Sequence, residues 1–374
     1  MPHSKYITAR AMMEHIIDNR AVSPPLDRAP QRATARRRLD ELVAPWEEFR
    51  RVIPLVSLKS LLAEHAVGVP KVAILMCTMH GQRFLAEQLN SIATQTHPRW
   101  AIWASDDGSA DYTHDILEYY QQHWGEERIS IHAGPAEGST ANFLSLTCRA
   151  DIDADYFAYA DQDDVWESDK LERAVAWLQT VPEGVPALYG SRTLLVDARN
   201  QHLGYSPLFE RGPSFRNALV QSIAGGNTMV FNRAARDLLR RAGEDVGAVT
   251  HDWWAYMLVS ACGGWVHYDP YPTVRYRQHE RNQFGSNRTL RAQLHRLAQL
   301  LRGRFRGWVD RNVAALQRVR HLMTPENQAI LDAFVAARRR RLVPRLVGLR
   351  RAGIYRQTRL GNAGLAVAAL INRL

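Results

Sequence analysis

Cysteine is scarce in this sequence, and its three residues stand far apart at Cys77, Cys148 and Cys262. None belongs to a C-x-x-C pair, so the sequence lacks a paired-cysteine motif. Isolated thiols of this kind are more often buried apolar side chains than reactive groups. We therefore expect three unpaired thiols in a reducing compartment.

Long apolar runs are missing as well. No stretch of 18 apolar residues occurs, so we expect no membrane-spanning helix. The first residues are polar and include no apolar core segment, so we expect no signal peptide. With 374 residues, of which 46% are hydrophobic and 23% charged, the chain is ordinary for a globular protein of one large or two smaller domains. That length is ample to bury a core.

Acidic residues are few towards the carboxyl-terminal side. Residues 288–374 contain 19 basic and 3 acidic side chains, a net charge of +16, whereas residues 71–287 carry −9 and residues 1–70 carry +3. The acidic middle and the basic end therefore predict different partners, and one electrostatic description does not serve both.

Several acidic residues of the middle region converge on one short run, Asp161-Gln162-Asp163-Asp164. It follows an aromatic segment, residues 155–160, that is typical of a buried strand. Three carboxylates at the end of a strand repel one another unless a cation or solvent compensates them. Mg²⁺ and Mn²⁺ are usually held by one or two carboxylates together with substrate phosphates. The run predicts a divalent-ion site for a diphosphate-bearing substrate, and a solvated turn that caps the next helix is the alternative.

A second acidic segment lies upstream, at the end of a β-α-β pattern. An apolar strand from Lys71 ends at Cys77-Thr78, and a helical pattern follows from Phe84 to Ile92. A second strand, residues 101–104, leads into Ser105-Asp106-Asp107-Gly108-Ser109. Acidic and glycine residues at the carboxyl end of such a strand are typical of a nucleotide-binding site.

Together these ordered motifs resemble glycosyltransferase family 2, over about residues 72 to 285. The matching segments are Thr78, Gln88–Ile92 with Gln95-Thr96, Ser105–Ser109, and the acidic run followed by Val165-Trp166, which is similar to the bacterial rhamnosyltransferase-like branch. The resemblance implies an α/β fold, with a GT-A Rossmann-like nucleotide-binding domain around a mixed central sheet. We expect that domain at residues 71–287, a helical amino-terminal extension at 1–70 and a basic helical region at 288–374.

The resemblance also implies roles for individual residues. Nucleotide binding is implied for Thr78, Asp106, Asp107, Gly138, Asn142 and Asp161. Binding of Mg²⁺ or Mn²⁺ is implied for Asp161, Asp163 and His279, although a lone histidine is by itself more often structural. Arg275 or Arg277 is expected to contact phosphates.

Two adjacent glycines, Gly225 and Gly226, open a predicted strand over residues 223–231. Glycines allow close approach of the backbone to a ligand, and they equally fit an ordinary bulge. The family resemblance places them in the pocket for the donor sugar and the acceptor.

The segment Thr250-His251-Asp252-Trp253-Trp254 opens another predicted helix. An aspartate in the first turn is favoured by the helix dipole, so capping is one explanation. The resemblance assigns Asp252 the position of the catalytic base and places His251, Trp253 and Trp254 in the pocket. There the tryptophans are expected to desolvate the carboxylate and to offer a stacking surface to a sugar.

Apolar residues at helical spacing continue through the basic region 288–374. Its arginines, chiefly Arg338 to Arg341 with Arg345, Arg350 and Arg351, predict attachment to an anionic membrane surface. Packing of the apolar stripe against the core is the alternative, and both can hold together. The region has no nucleic-acid-binding motif and the core is acidic, so we expect no nucleic-acid partner.

The sequence thus predicts an inverting, metal-dependent transfer of a sugar from a nucleoside diphosphate to a hydroxyl of a glycan or lipid-linked acceptor. We expect it in surface polysaccharide biosynthesis, peripheral on the cytoplasmic face of the membrane. Rhamnose from dTDP-rhamnose is the first donor that the branch suggests, and UDP-sugars are next. A catalytically inactive nucleotide-sugar-binding or scaffold protein is the alternative. A nucleotidyltransferase would need a glycine-rich basic loop that residues 76–83 lack. Residues 1–70 are left open as a helical cap or a dimerisation element, and so is a homo-oligomer.

Overall fold

The computed structural model describes residues 68–278 and 304–374. Most of the amino-terminal extension, the first residues of the basic region and His279 therefore lie outside the described residues. The strands are β1 Val72–Thr78, β2 Trp100–Asp106, β3 Ile129–Ala133, β4 Tyr156–Ala160, β5 Val165–Trp166, β6 Ala187–Val196, β7 His202–Tyr205, β8 Val230–Asn232 and β9 Trp265–Arg277. The helices are α1 Leu85–Ala93, α2 Thr113–Trp124, α3 Ser139–Cys148, α4 Lys170–Leu178, α5 Phe215–Ala218, α6 Arg233–Ala242, α7 His251–Ala261, α8 Arg304–Arg318, α9 Pro325–Arg339, α10 Leu342–Arg351 and α11 Arg359–Leu370.

The first half of the sheet is parallel. Strands β1 and β2 run side by side, with β3 beyond β2 and β4 on the other side of β1. All seven residues of β1 are buried, as expected of a central parallel strand with both faces covered. The carboxyl ends of β1, β2 and β4 consequently meet at one edge of the sheet, where Thr78 and the two acidic segments after β2 and β4 lie.

The second half of the sheet is mixed. The strand order is β3-β2-β1-β4-β8-β6-β9-β5, with β7 also paired to β6. β8 is antiparallel to β4 and β6, β9 runs parallel to β6, and β5 is antiparallel to β9. The predicted α/β class with a mixed central sheet is confirmed.

One local expectation is wrong. Gly225 and Gly226 do not open a strand or form a bulge: residues Gly226–Thr228 make a single 3₁₀ turn, and the strand after it is only three residues long. The long strand β9 continues through 13 residues to Arg277. Its register with β6 shifts near Arg192, and this irregularity absorbs Pro270 and Pro272, which have no N–H to give to the ladder.

The carboxyl-terminal helices share one hydrophobic core with the sheet domain. Leu316, Leu331 and Phe334 are buried in the same cluster as residues of β1, β4 and α7. Asn327 Nδ2 donates to the carbonyl of Ser260, at 3.0 Å. Thr324 caps α9: its Oγ1 accepts the N–H of Asn327, and proline follows at the first turn. Packing of this region on the core is thus observed, and the predicted boundary at residue 288 stays a prediction.

Within the described ranges, none of the helices combines the length and the apolar character that crossing a bilayer requires.

Candidate active site

The site lies where β1 and β2 end. Thr78 and Asp106 are register partners in the two strands. Thr78 Oγ1 donates to Asp106 Oδ1 at 2.8 Å. Asp106 also accepts from the backbone N–H and the hydroxyl of Ser109, at 2.8 and 2.6 Å. The predicted pair Thr78 and Asp106 is therefore brought together, and the turn after β2 is built around the carboxylate of Asp106.

Asp107 holds the loop after β3. Its Oδ1 accepts the N–H of Ala136 at 2.7 Å and its Oδ2 accepts that of Gly138 at 2.8 Å. Asn142 exchanges two hydrogen bonds with Ser105, through the hydroxyl and the backbone carbonyl. Asp107, Gly138 and Asn142 thus share one neighbourhood, as predicted, and their visible contacts set the shape of this loop. Direct contact with a nucleotide stays a prediction for all three.

The acidic run after β4 faces the start of α7. Asp161 is partly buried. This burial, followed by the negative charges of Asp163 and then Asp252, raises the pKa of the Asp161 carboxyl to about 7. Burial is the larger cause, and the smaller contribution of Asp252 requires that its carboxylate lie close to that of Asp161. The fold has therefore brought Asp252 to the acidic run across 91 residues of sequence. We call Asp106, Asp161, Asp163 and Asp252 the acidic edge.

Asp164 lies beneath the acidic edge and was not singled out from the sequence. Its side chain is fully buried. It accepts from Asn227 Nδ2 at 2.6 Å and from the backbone N–H of Arg277 at 3.2 Å. Burial, and then the charges of Asp163 and Asp161, raise the pKa of Asp164 well above its ordinary value. Asp164 thereby ties the acidic run to the 3₁₀ turn and to the end of β9.

A buried lysine accompanies Asp164. The Lys170 ammonium group lies 3.8 Å from the centre of the Trp166 ring, and it has no hydrogen-bond partner among the described residues. Burial lowers the pKa of Lys170 to about 7, and the neighbouring Asp164 carboxyl partly offsets that effect. The pair places one acidic and one basic group with shifted pKa values directly under the site.

Gln162, between the two aspartates, holds the loop after β1. Its Oε1 accepts the N–H of Met79 and its Nε2 donates to the Met79 carbonyl, both at 2.8 Å. A Cβ atom at Gly81 would lie 2.2 Å from the same Gln162 oxygen, so glycine at 81 leaves room for this contact. The loops after β1 and β4 are thus joined by a two-bond clamp that the sequence pattern did not reveal.

Arg277 is enclosed by protein acceptors. Its guanidinium donates to the Asp163 carbonyl at 2.9 Å and to Glu87 Oε2 at 2.6 Å, and its side chain is fully buried. These contacts favour a bracing role over the predicted contact with phosphate. Arg275 is more exposed and pairs with Glu167 at 2.7 Å. Phosphate contact stays a prediction for both, and His279 lies outside the described residues.

His251 and Gly226 fit against each other. A Cβ atom at Gly226 would lie 2.3 Å from His251 Nε2, so only glycine fits there without a shift. The imidazole stacks on Phe143, with 3.9 Å between ring centres, and its Nε2 has no partner among the described residues. Burial lowers the pKa of His251 to about 4, so the ring is neutral near pH 7. Gly226 therefore meets His251, whereas the neighbour of Gly225 is the Asn227 side chain. A place in the donor and acceptor pocket stays a prediction for all three residues.

The two tryptophans after Asp252 behave differently from the expectation. Trp254 has no exposed surface and lies in the hydrophobic core, so the expected sugar-stacking surface is wrong for this residue. Trp253 is 7% exposed, and its Nε1 donates to the carbonyl of Ala218 at 2.6 Å. Both rings fix α7 in the core, and that anchoring positions Asp252 in the first helical turn.

The acidic edge suits a divalent cation that also binds a diphosphate. In the part of the chain that the structure describes, no three His, Cys, Asp or Glu side chains are grouped as a ready metal site. Mg²⁺ or Mn²⁺ at sites of this kind commonly takes only one or two carboxylates, and substrate phosphates complete the shell. Burial and, after it, the charges of Asp163 and Asp252 raise the pKa of Asp161, and a bound cation would offset the repulsion among these carboxylates. Asp161 and Asp163 therefore fit the predicted metal, with His279 untested.

Comparison with known proteins gives the family. The model for glycosyl transferase family 2 matches residues 73–239. The chain is 30% identical over 251 residues to dTDP-rhamnosyl transferase RfbG of Shigella flexneri. The aligned residues make up 64% of this chain and 84% of that protein. The chain belongs to glycosyl transferase family 2. Within the family it lies in the rhamnosyltransferase-like branch, and it is a glycosyltransferase.

Other family members match over shorter segments. A putative teichuronic acid biosynthesis glycosyltransferase of Bacillus subtilis, TuaG, is 29% identical over 109 residues, which is 29% of this chain and 42% of that protein. Among solved structures, the mannosyltransferase PcManGT of Pyrobaculum calidifontis in complex with GDP-Man and Mn²⁺ is 15% identical. It covers 90% of this chain and 97% of that chain, with a TM-score of 0.46. The mixed sheet described above agrees with the α/β fold that the resemblance to the family implies.

Proposed function

We propose that this family 2 enzyme transfers rhamnose from dTDP-rhamnose to a hydroxyl of a glycan or lipid-linked acceptor during surface polysaccharide biosynthesis. The donor is suggested by the similarity to a dTDP-rhamnosyl transferase over most of that protein's length. The observation that supports the chemistry is that Asp252, in the first turn of α7, lies close enough to Asp161 for its charge to contribute, after burial and Asp163, to the raised pKa of that carboxyl. A carboxylate from a separate helix thereby faces the proposed diphosphate site.

The donor would be held at the ends of β1, β2 and β4. Thr78, Asp106 and Asp107 would bind the nucleoside, with the loop through Gly138 and Asn142 closing beside it. Asp161 and Asp163 would hold Mg²⁺ or Mn²⁺, with His279 as a further predicted ligand. When bound, this cation would supply positive charge to offset the charge that develops on the departing diphosphate. The hydrogen bond from Arg277 to the backbone carbonyl of Asp163 would hold the backbone from which the Asp163 carboxylate projects.

Asp252 would act as general base. Its carboxylate would accept the proton of the acceptor hydroxyl while the hydroxyl oxygen bonds to the anomeric carbon and the bond to the diphosphate breaks. A single displacement of this kind inverts the anomeric centre. Burial of Trp253 and Trp254 would restrict motion of the base, because both rings anchor the helix that carries it.

The location proposed for the enzyme is the cytoplasmic face of the membrane, where a lipid-linked acceptor would present its sugar. The domain limits at residues 71–287 and 288–374, and a homo-oligomer, are kept as parts of this proposal. Support for the location comes from the charge of residues 288–374, which is +16.

A donor-panel assay tests the proposed reaction. Purified protein is given dTDP-rhamnose or UDP-sugars, with and without Mn²⁺, and both donor hydrolysis and dTDP binding are measured. We expect turnover of dTDP-rhamnose that depends on the cation. Asp163→Ala should lower it by roughly 10²-fold or more, as removal of a group that stabilises a developing charge commonly does.

Asp169→Ala is the matched control, because Asp169 is an aspartate close to the acidic run in sequence, directly before α4, and pairs only weakly with Arg173, at 3.9 Å. Unchanged turnover in Asp163→Ala would overturn the metal assignment. Binding of dTDP without turnover of any donor would instead support the alternative, a nucleotide-sugar-binding protein without transfer activity.

A further inference from the structure

We propose that α10 and α11 form a membrane-inserting surface, with apolar side chains that enter an anionic bilayer and arginines that bind its headgroups. We call it the C-terminal apolar surface. Its apolar members are Leu342, Val343 and Val347 of α10, and Leu360, Val367, Leu370 and Ile371 at α11. This inference rests on the proposed membrane location and identifies the part of the chain that makes the contact.

Helix α11 is apolar on two opposite sides. Leu365, Ala368 and Ala369 are buried against the protein. Leu360, Val367 and Leu370 lie on the other side at helical spacing and are exposed, with Leu360 at 80%. A helix that only packs on a core needs one apolar side. The second side therefore indicates a second apolar environment.

Exposed apolar side chains are concentrated here. Single exposed leucines and valines are normal on any protein surface. Of the thirteen large apolar side chains that are exposed in the described residues, however, seven fall between residues 342 and 371. On α10, Val343 is 65% exposed, while Arg345 and Leu349 on its other side are buried. Both helices thus turn apolar side chains outwards.

The surrounding charge has one sign. Residues 333–374 contain ten arginines and no aspartate or glutamate. Seven of these arginines are exposed, and no described acidic residue pairs with them: Arg339, Arg340, Arg341, Arg350, Arg351, Arg359 and Arg373. An apolar surface among unpaired cations matches the anionic headgroups and acyl chains of a bilayer.

Two arginines of the predicted basic cluster do not belong to this surface. Arg338 pairs with Asp310 at 2.7 Å. Arg345 is buried and donates to the Ala369 carbonyl and to Asn372 Oδ1, at 2.5 and 2.7 Å. Because both guanidinium groups already bind protein acceptors, these contacts favour a structural role, and membrane attachment stays a prediction for both arginines. Arg345 instead joins α10 to the end of α11.

A bilayer fits this surface better than a second copy of the chain. In a symmetric dimer the same surface meets itself, so seven arginines would face seven arginines with no carboxylate between them. That arrangement would oppose association by like-charge repulsion. A bilayer with anionic lipid has both partners that the surface requires, negative headgroups and a hydrocarbon layer.

The test is co-sedimentation of the full chain with phosphatidylcholine vesicles, with and without phosphatidylglycerol. Arg339→Gln/Arg340→Gln/Arg341→Gln removes charge, and Leu360→Ser/Val367→Ser removes apolar contact. A basic residue near an anionic surface strengthens binding about fivefold, so the triple variant should bind anionic vesicles at least tenfold more weakly. The double variant should also lose about tenfold, and its remaining binding should fall more steeply with salt.

Matched controls carry equal changes elsewhere. Arg233→Gln/Arg240→Gln/Arg241→Gln removes three exposed charges from α6, and Leu203→Ser/Leu208→Ser removes two exposed leucines near β7. Both should bind vesicles like the unchanged protein. Thermal midpoint and dTDP binding, measured in parallel, should be the same in all variants, since none touches the acidic edge. If the unchanged protein does not bind dTDP, that result counts against the proposed function and does not affect the conclusion from the vesicle assay.

Equal binding of the unchanged protein to both vesicle types would overturn the inference. Equal losses in the test and control variants would do the same, because they would reflect net charge alone. A change of molecular mass in solution caused by Leu360→Ser/Val367→Ser would assign the surface to contacts between copies and would also overturn it.

Discussion

The acidic edge and the C-terminal apolar surface hold charge in opposite ways. At the acidic edge and directly beneath it, charged groups are crowded and partly or fully buried: Asp161 and Asp164 have raised pKa values, and Lys170 has a lowered one. On the C-terminal apolar surface the arginines face solvent and no carboxylate lies near them in sequence. Burial, more than the number of charges, separates the two regions.

The contrast indicates how each region responds to change. A buried charge acts through a few specific contacts, so one substitution there should have a large effect. An exposed charge acts through a screened field that many residues share, so single substitutions should have small effects that add. The predictions below test this difference, from the largest expected effect to the smallest.

Asp252→Asn should give the largest effect. The amide keeps the shape of the side chain but accepts no proton, and loss of a general base costs about 10²–10⁴ in rate. Turnover of the donor with acceptor present should fall by this factor, whereas titration with dTDP should show unchanged binding. If dTDP binding falls together with turnover, Asp252 belongs to the donor site and the assignment as base is wrong.

Glu87→Ala should destabilise the fold. It removes the carboxylate that pairs with the fully buried Arg277 guanidinium, and breaking a buried pair costs about 3–5 kcal/mol. We expect roughly 3 kcal/mol, at the lower end of that range, because the Glu87 carboxylate is itself partly exposed. Unfolding in urea measures the loss.

The matched control for Glu87→Ala comes from the carboxyl-terminal helices. Asp332 pairs with Arg320 at a similar distance, 2.7 Å, but on the surface. Asp332→Ala should cost less than about 1 kcal/mol. Equal losses in the two variants would contradict the view that burial makes the difference.

His251 should make the fold less stable in acid. Its folded pKa is about 4, below the ordinary value near 6.5. Between these values the unfolded chain binds the proton and the folded chain does not. Stability therefore falls as the pH falls from 6.5 to 4, by on the order of 3 kcal/mol.

Asp161 acts in the opposite direction over the same range. Its folded pKa is about 7, so the folded state takes up a proton first and gains stability as the pH falls towards 4. The contribution of His251 to the pH dependence of stability is therefore measured by comparison of the unchanged protein with His251→Asn in metal-free buffer. The variant should lose less stability between pH 6.5 and 4, and parallel pH profiles would contradict the prediction.

Arg345→Gln and Arg339→Gln compare two arginines of the same region. Arg345 is buried and Arg339 is exposed. Loss of the Arg345 contacts leaves buried acceptors without donors and should cost about 1–3 kcal/mol, whereas Arg339→Gln should stay within about 0.5 kcal/mol. Thermal unfolding of both variants measures the difference. Similar losses of stability in the two variants would show that the position of an arginine in the chain, and not its burial, determines its contribution to stability.

The family, the fold class and the order of the acidic motifs could be predicted from the sequence. Short apolar runs mark β1, β2 and β4, and a candidate site residue stands at the end of each strand or directly after it: Thr78, Asp106 and Asp161. Because the carboxyl ends of parallel strands meet at one edge, local patterns were enough to bring these residues together.

The supports of the site could not be predicted in the same way. Gln162 clamps Met79 across 83 residues, and Arg277 reaches Asp163 across 114. Neither pairing leaves a periodic signal, because it depends on how distant loops meet. The sequence does show Asp164 as a third carboxylate of the acidic run. Trp166, two residues later, is a large apolar residue that is buried, and it could have indicated that the Asp164 side chain also points into the protein. The burial of Trp254 was missed because an aromatic residue beside a catalytic position fits a core as well as a sugar.

The close contact of Gly226 with His251 also constrains how this protein can vary. A side chain at position 226 would need the space that the imidazole now fills, so it could be accommodated only together with a smaller residue at position 251. The two positions are therefore expected to change as a pair. A library randomised at both should return active combinations limited by their joint volume, even though 25 residues separate the two positions in the chain.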